Sequence, residues 1–252
     1  MWRSIIAALF AFPLQAQTFE PVKIEPHIYQ GGWEHFVGGG LAAFDCDGEQ
    51  LPELFAAGGT APAALYRNIS DGAPAFKRDT PTVLALHGVT GAYPLDFNND
   101  GFVDLAILRV GENYLMQGSA DCSFKKYDQL PIKWDRSWTT SFAATWEADA
   151  IYPTMVFGNY VDRDDADGPF GTCAPHHLFR PVGREYGAPT LLEPGFCTLS
   201  MLFTDWARNG RQDLRVSNDR HYYLRGGQEQ MWAMEPNPRL FDTVDGWVKH
   251  EL

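Results

Sequence analysis

The sequence predicts an all-β chain folded as a β-propeller with four recognisable blades. Three observations carry that expectation. A segment of similar pattern recurs about every 50 residues. Each recurrence sets an acidic, turn-forming loop between two short apolar runs. The composition, with 24 Gly, 17 Pro, 17 Phe and 8 Trp in 252 residues, suits short strands joined by tight turns rather than helices.

The recurrence is read in LAAFDCDGEQLPELFAAGG from Leu41, in AYPLDFNNDGFVDLAILRVG from Ala92 and in MLFTDWARNGRQDLRVSND from Met201. A degenerate copy, ATWEADAIYPTMVFGN, stands between the last two, with Trp146 in place of the first Asp. The loops therefore begin at Asp45, Asp96, Trp146 and Asp205, spaced 51, 50 and 59 residues apart. A second motif follows each loop: Leu65-Tyr66-Arg67-Asn68, Tyr114-Leu115-Met116, Leu178-Phe179-Arg180 and Tyr223-Leu224-Arg225. Each unit reads as strand, acidic hairpin, strand, turn, aromatic strand and one further strand, which is the content of a propeller blade. The repeats span about 37–80, 88–130, 139–190 and 197–245. The ring is either a partial, open propeller or a closed four-bladed one.

The acidic loops carry the chemistry. In the second, Asp96, Asn98, Asp100 and Asp104 occupy positions 1, 3, 5 and 9, with Gly101 at position 6. Alternate residues bring side-chain oxygens to one side of the turn. The glycine lets the Phe102 carbonyl at position 7 turn toward the same point. Hard oxygen donors in that number suit Ca²⁺ better than Mg²⁺ or a transition metal. An EF-hand is excluded, because position 12 is Ala56, Ile107 or Val216, inside expected strands. The first loop offers Asp45, Asp47, Glu49 and Glu53, with Gln50 where the glycine should be, so weaker binding is expected. The fourth offers Asp205, Asn209 and Asp213 around Gly210, and Ala207 removes one donor. The third, with Trp146, Ala148, Ala150 and Thr154, should hold no metal, and its Glu147 and Asp149 read as solvated turn residues. Up to three calcium sites are thus expected, the strongest from Asp96 to Asp104.

Charge and cysteine usage bound the rest. A net charge of -12 argues against nucleic acid and anionic membranes as partners. Residues 1–16 read as a secretory signal, with Arg3, an apolar run from Ile5 to Phe12 and cleavage after Ala16. Residues 17–252 are then the repeat domain, secreted, periplasmic or on the cell surface. No apolar run is long enough for a transmembrane helix. The four cysteines fit an oxidising compartment. Cys173 and Cys197 flank one irregular segment and are expected to pair, which leaves Cys46 and Cys122, whose pairing is less firmly indicated.

Other groupings read as structure. Asp162, Asp164, Asp165 and Asp167 fit no loop template and suit a solvated turn. The stretch from Asn159 to Cys197 exceeds one blade and reads as a disulfide-stapled insert. His176 and His177 lack partners at zinc spacing and are expected on a surface or blade edge. Trp134, Trp138, Trp146 and Trp206 are expected to pack between blades rather than form a sugar platform. No nucleophile elbow, phosphate loop or zinc-protease motif is present.

With these residues in view, the loops resemble FG-GAP/VCBS repeats of the kind found in integrin α chains. The whole is most similar to the bacterial cartilage acidic protein-like (ASPIC/UnbV-associated) family. GGGLAAFDCDG, LYRN, DFNNDGFVDLAILRVGEN, FGNYVDR with PFGTC, and DWARNGRQDLRVSND carry the resemblance. It implies calcium in the hairpin loops, export, and binding of a protein or glycan ligand without catalysis. Members of that family carry about seven blades and often a C-terminal UnbV domain, and this chain shows four repeats. Two alternatives accompany that reading. One is an extracellular polysaccharide-active enzyme drawing on Glu147, Asp149, Asp162 or Glu185. The other is a fragment of a larger propeller that does not stand alone.

Overall fold

The computed structural model describes residues 19–128, 136–148, 150–168, 171–219 and 227–240. The expected signal, Trp134, Asp149 and Tyr223 to Arg225 lie outside them.

The chain forms four antiparallel four-stranded sheets, one after another. The first contains β1 (Leu41–Phe44), β2 (Glu53–Ala56), β3 (Ala64–Asn68) and β4 (Phe76–Arg78). The second contains β5 (Val89–Leu95), β6 (Asp104–Arg109), β7 (Tyr114–Gln117) and β8 (Lys125–Lys126). In the third, β9 (Thr139–Thr145), β10 (Thr154–Asn159) and β11 (His176–Phe179) are followed by a small hairpin of β12 (Pro181–Val182) and β13 (Glu185–Tyr186), and then by β14 (Thr190–Leu192). The fourth contains β15 (Thr198–Thr204), β16 (Asp213–Asn218), β17 (Gln230–Ala233) and β18 (Arg239–Leu240). In each sheet the strands pair antiparallel in chain order, with the β12–β13 hairpin interposed before the last strand of the third.

Burial explains the strand sequences. The second strands of the two middle sheets are covered on both faces: β10 is buried throughout and β6 along all but its last residue. They therefore read as unbroken apolar runs, Leu-Ala-Ile-Leu in β6 and Met-Val-Phe in β10. Outer strands such as β8 are exposed and carry lysine. Sheets pack face to face in succession. Phe44, Phe55 and Leu65 meet Leu105, Ile107 and Met116 between the first and second sheets. Ala106, Leu108 and Leu115 meet Phe142, Phe157 and Phe179 between the second and third. Val156 and Leu178 meet Leu214, Val216 and Trp232 between the third and fourth.

First strands adjoin one another in the order β1, β5, β9, β15. Glycine permits the closest approach: a Cβ on Gly40 would lie 3.1 Å from the Gly91 Cα. A buried polar chain runs through the same region. The Thr139 hydroxyl donates to Asn159 Oδ1 (2.8 Å) and accepts from Asn113 Nδ2 (2.8 Å). Thr198 repeats the pattern one sheet later, donating to Asn218 Oδ1 (2.8 Å), with His176 Nε2 3.0 Å from its hydroxyl. Gln230 continues it, its side chain reaching Asn218 (3.1 Å) and the Pro194 carbonyl (2.7 Å). The second, third and fourth sheets are thus keyed to one another by buried hydrogen bonds.

Several expectations change. His176 and His177 are buried in the third strand of a sheet, not on a surface or edge, because the neighbouring sheets cover both faces of β11. The segment from Asn159 to Cys197 is not an insert: it supplies β11 and β14, and only the loop before β11 and the β12–β13 hairpin are extra. The third strand of the fourth sheet is β17 (Gln230–Ala233). Trp138 is buried as expected, whereas Trp146 and Trp206 are about half exposed beside their loops. Both cysteine pairs lie at disulfide distance, with Cα–Cα separations of 5.1 Å for Cys46–Cys122 and 4.9 Å for Cys173–Cys197. The first pair joins the first two sheets across 76 residues, a closure worth about 4 kcal/mol on chain-entropy grounds. Among the described residues no helix is long and apolar enough to cross a membrane.

Burial lowers the His176 pKa to about 4, with His177 adding to the effect and the Gln230 side chain opposing it. Its neutral form stabilises the fold fully above the unfolded pKa near 6.5, and that contribution is lost as pH falls toward 4. We expect His176→Gln to flatten the loss of stability between pH 6.5 and 4.5, by at most ~3 kcal/mol. Denaturant unfolding at several pH values checks this, and a slope equal to that of the unaltered chain would count against it.

Candidate metal loops

Each acidic loop joins the first strand of a sheet to its second, and three of them share one backbone path. Position 4 has positive φ at Gly48 (79°), Asn99 (56°) and Arg208 (53°), and position 6 at Gln50 (63°), Gly101 (87°) and Gly210 (81°). The path is kept even where Gln50 replaces glycine, so the first loop differs in strain rather than in shape.

Side chains fold this turn locally. The position 1 carboxylate accepts two backbone N–H groups: Gly48 and Gln50 on Asp45, Asp100 and Gly101 on Asp96, Asn209 and Gly210 on Asp205, all at 2.9–3.1 Å. Asn98 Oδ1 accepts from Asp100 N (2.9 Å), and Asp100 Oδ1 accepts from Phe102 N (3.0 Å). Asn209 accepts from Arg211 N in the same way (3.0 Å). These are side-chain-capped turns of the type Asp and Asn favour. A carboxylate has about four lone-pair sites, so capping leaves each oxygen able to accept more.

Position 9 does something the spacing does not announce. Glu53, Asp104 and Asp213 are buried at the start of β2, β6 and β16. Asp104 accepts Phe97 N (3.2 Å) at the loop's start and Gly118 N (2.8 Å) just after β7. Glu53 accepts Cys46 N (3.2 Å), and Asp213 accepts the Met234 N–H. The residue expected as the last ligand is therefore also a clamp between hairpin and third strand. Burial pushes the Asp104 carboxyl up to about 7, helped by the charges of Asp100 and Asp96 and opposed by the two N–H donors. Asp213 is raised for the same reason, with Asp205 and Glu235 contributing and Met234 N–H opposing. A cation held in the loop would favour the ionised form of both.

The loops differ in what faces them from the third strand. In the first, the Arg67 guanidinium donates from Nη2 to Asp47 Oδ2 (2.5 Å), and its Nε lies 3.7 Å from Glu53 Oε1. In the second, Gln117 Nε2 donates to Asp100 Oδ2 (2.7 Å). In the third, Arg180 Nε reaches Glu147 Oε1 (3.1 Å), so Glu147 is an ion-pair partner and not a solvated turn residue. Asp45, Asp47 and Glu53 bring one oxygen each within 4.8 Å of one another, the sole all-carboxylate group so gathered among the described residues. Asp96, Asp100 and Asp104 stand further apart. The oxygen donors of the second loop are Asp96, Asn98, Asp100, the Phe102 carbonyl and Asp104, and those of the fourth are Asp205, Asn209 and Asp213. Glu49 is exposed, and its N–H donates to Asp47 Oδ1 (3.3 Å).

Arg67, Gln117 and Arg180 were not among the candidate ligands. Arg67 and Arg180 lie in the aromatic motifs Leu65-Tyr66-Arg67-Asn68 and Leu178-Phe179-Arg180, whereas Gln117 stands one residue beyond Tyr114-Leu115-Met116, so only the strand register aligns it with them. Among the described residues no other group of three carboxylates is gathered as closely. Asp162 and Asp165 cap their own turns by accepting Asp164 N and Asp167 N, and Glu185 is exposed on β13. The chain matches no protein-family model and no curated protein.

Gln50 carries a conformation that favours glycine by about 1 kcal/mol. We expect Gln50→Gly to raise unfolding stability by roughly 0.5–1 kcal/mol in urea titration; an unchanged or lower value would show that the Gln50 side chain compensates.

Proposed function

We propose that the chain is an exported, calcium-binding β-propeller segment that serves as a scaffold for a protein or glycan ligand rather than as an enzyme. The four sheets are its blades. Their face-to-face succession, with β1, β5, β9 and β15 side by side, supports that arrangement. Two cysteine pairs at disulfide distance are consistent with an oxidising destination.

The observation that carries the calcium reading is the second loop. Four oxygen-bearing side chains and a backbone carbonyl are set on a turn held by positive φ at Asn99 and Gly101. Its carboxylates repel one another without a counter-ion, so calcium stabilises the folded hairpin by mass action. The fourth loop shares the backbone path and lacks one donor at Ala207, so it binds more weakly.

Rigid loops at the edge of packed sheets present residues for recognition. Half-exposed Trp146 and Trp206 stand beside the third and fourth loops and offer flat apolar faces to a sugar ring or a protein side chain. A shallow groove of about 420 Å³ runs along the first strands, lined by Gly38, Gly40, Thr90, Tyr93 and Thr140.

Thermal unfolding in excess calcium and in chelator tests the reading. The expected result is one cooperative transition raised several degrees by calcium. Asp96→Ala and Asp100→Ala should remove most of that rise, and Asp205→Ala a smaller part. A transition that ignores calcium, or equal calcium-independent losses in all three variants, would overturn it.

A further inference from the structure

The strand register places one residue opposite position 9 of every loop. Tyr66 pairs with Leu54, which sets Arg67 across from Glu53. Met116 pairs with Leu105, setting Gln117 across from Asp104. Phe179 pairs with Met155, setting Arg180 across from Thr154. Trp232 pairs with Leu214, setting Ala233 across from Asp213. The same place in four sheets thus holds arginine, glutamine, arginine and alanine.

That place looks onto the loop, as the contacts show. Arg67 bridges Asp47 and Glu53, Gln117 touches Asp100, and Arg180 pairs with Glu147. Arg67 thereby delivers a fixed positive charge to two carboxylates a metal would need. The first loop is also where three carboxylates draw together most closely, around a guanidinium that is already there. Glu53 has one more methylene than the Asp at position 9 of the second and fourth loops. It is almost fully buried and can meet both the Cys46 N–H and the Arg67 side chain. Gln117 is neutral, and Ala233 is too short to enter the fourth loop. Arg211 of that loop pairs instead with Glu235 (3.2 Å).

We infer that the third-strand residue opposite position 9 selects which loops take calcium. Arg67 is the resident cation of the first loop and closes it to metal, while Gln117 and Ala233 leave the second and fourth loops open. Arg180 pairs with Glu147 in the third sheet, whose loop lacks the donors for a metal. The first loop is then a latent calcium site, complete in carboxylates and blocked by one side chain. This inference rests on the calcium reading of the second and fourth loops. It departs from the sequence expectation that the first loop binds calcium weakly.

The test counts calcium bound per chain by isothermal titration calorimetry, with the unaltered chain measured in parallel. Arg67→Gln should bind one more calcium than the unaltered chain, and Arg67→Lys no more. Gln117→Arg should bind one fewer, while keeping in chelator a melting temperature no lower than the unaltered chain's. The Gln117→Arg arm decides the matter should Arg67→Gln fail to fold. No calcium bound by the unaltered chain would sink the calcium reading itself. Calcium bound to the unaltered chain with no gain in a folded Arg67→Gln, or no loss in Gln117→Arg, would leave that reading standing and overturn this one.

Discussion

Each acidic hairpin rests on a carboxylate that has been taken out of water. Glu53, Asp104 and Asp213 begin the second strands of their sheets and are buried there. A carboxylate in that position is tolerated only if its oxygens are satisfied. They are satisfied by backbone N–H groups at the loop's start or at the third strand, so the side chain that terminates the loop also ties it to the sheet. The turn's other acids then stand beside a buried negative charge. The rise of the Asp104 pKa to about 7 expresses that conflict between burial, neighbouring charge and backbone donors. Under the calcium reading proposed above a cation resolves it, and the sheets differ in where that cation comes from.

Charge compensation also connects the loops to the architecture. The residue that reaches a loop from the third strand is fixed by β-sheet register. A shift of one residue would turn Arg67 to the opposite face, among the apolar residues around Tyr66. That register is held by interlocking faces such as Phe55 against Leu105 and Ile107, and by the Cys46–Cys122 link from the first loop to the second sheet. Packing between sheets and chemistry within loops are therefore not independent. The buried chain from Asn113 through Thr139 and Asn159 plays the same part at the first strands, where it aligns one sheet with the next.

Much of this was legible in the sequence, for definite reasons. Short apolar runs such as Leu105 to Leu108 have no helical period and are closed by turn residues, which marks them as covered strands. Asp, Asn and Gly at alternating places after Asp96 dictate a capped turn whatever surrounds it. What stayed hidden depends on contacts distant in the chain. The role of Arg67 follows from the pairing of β2 with β3. The burial of His176 follows from sheets that cover β11 on both sides. In the fourth repeat, Tyr223-Leu224-Arg225 lies outside the described residues, and β17 pairs with β16 through Met231 and Trp232, of which Trp232 fills the apolar face toward the third sheet.

The most direct measurement is an anomalous-difference map from crystals grown in calcium. The account predicts peaks at about 2.4 Å from the side-chain oxygens of Asp96, Asn98 and Asp100 and, at lower occupancy, from those of Asp205 and Asn209. It also predicts the Arg67 guanidinium between Asp47 and Glu53, with no peak in the first loop. A map without peaks in the second and fourth loops, or with a calcium in the first and Arg67 displaced, would contradict it.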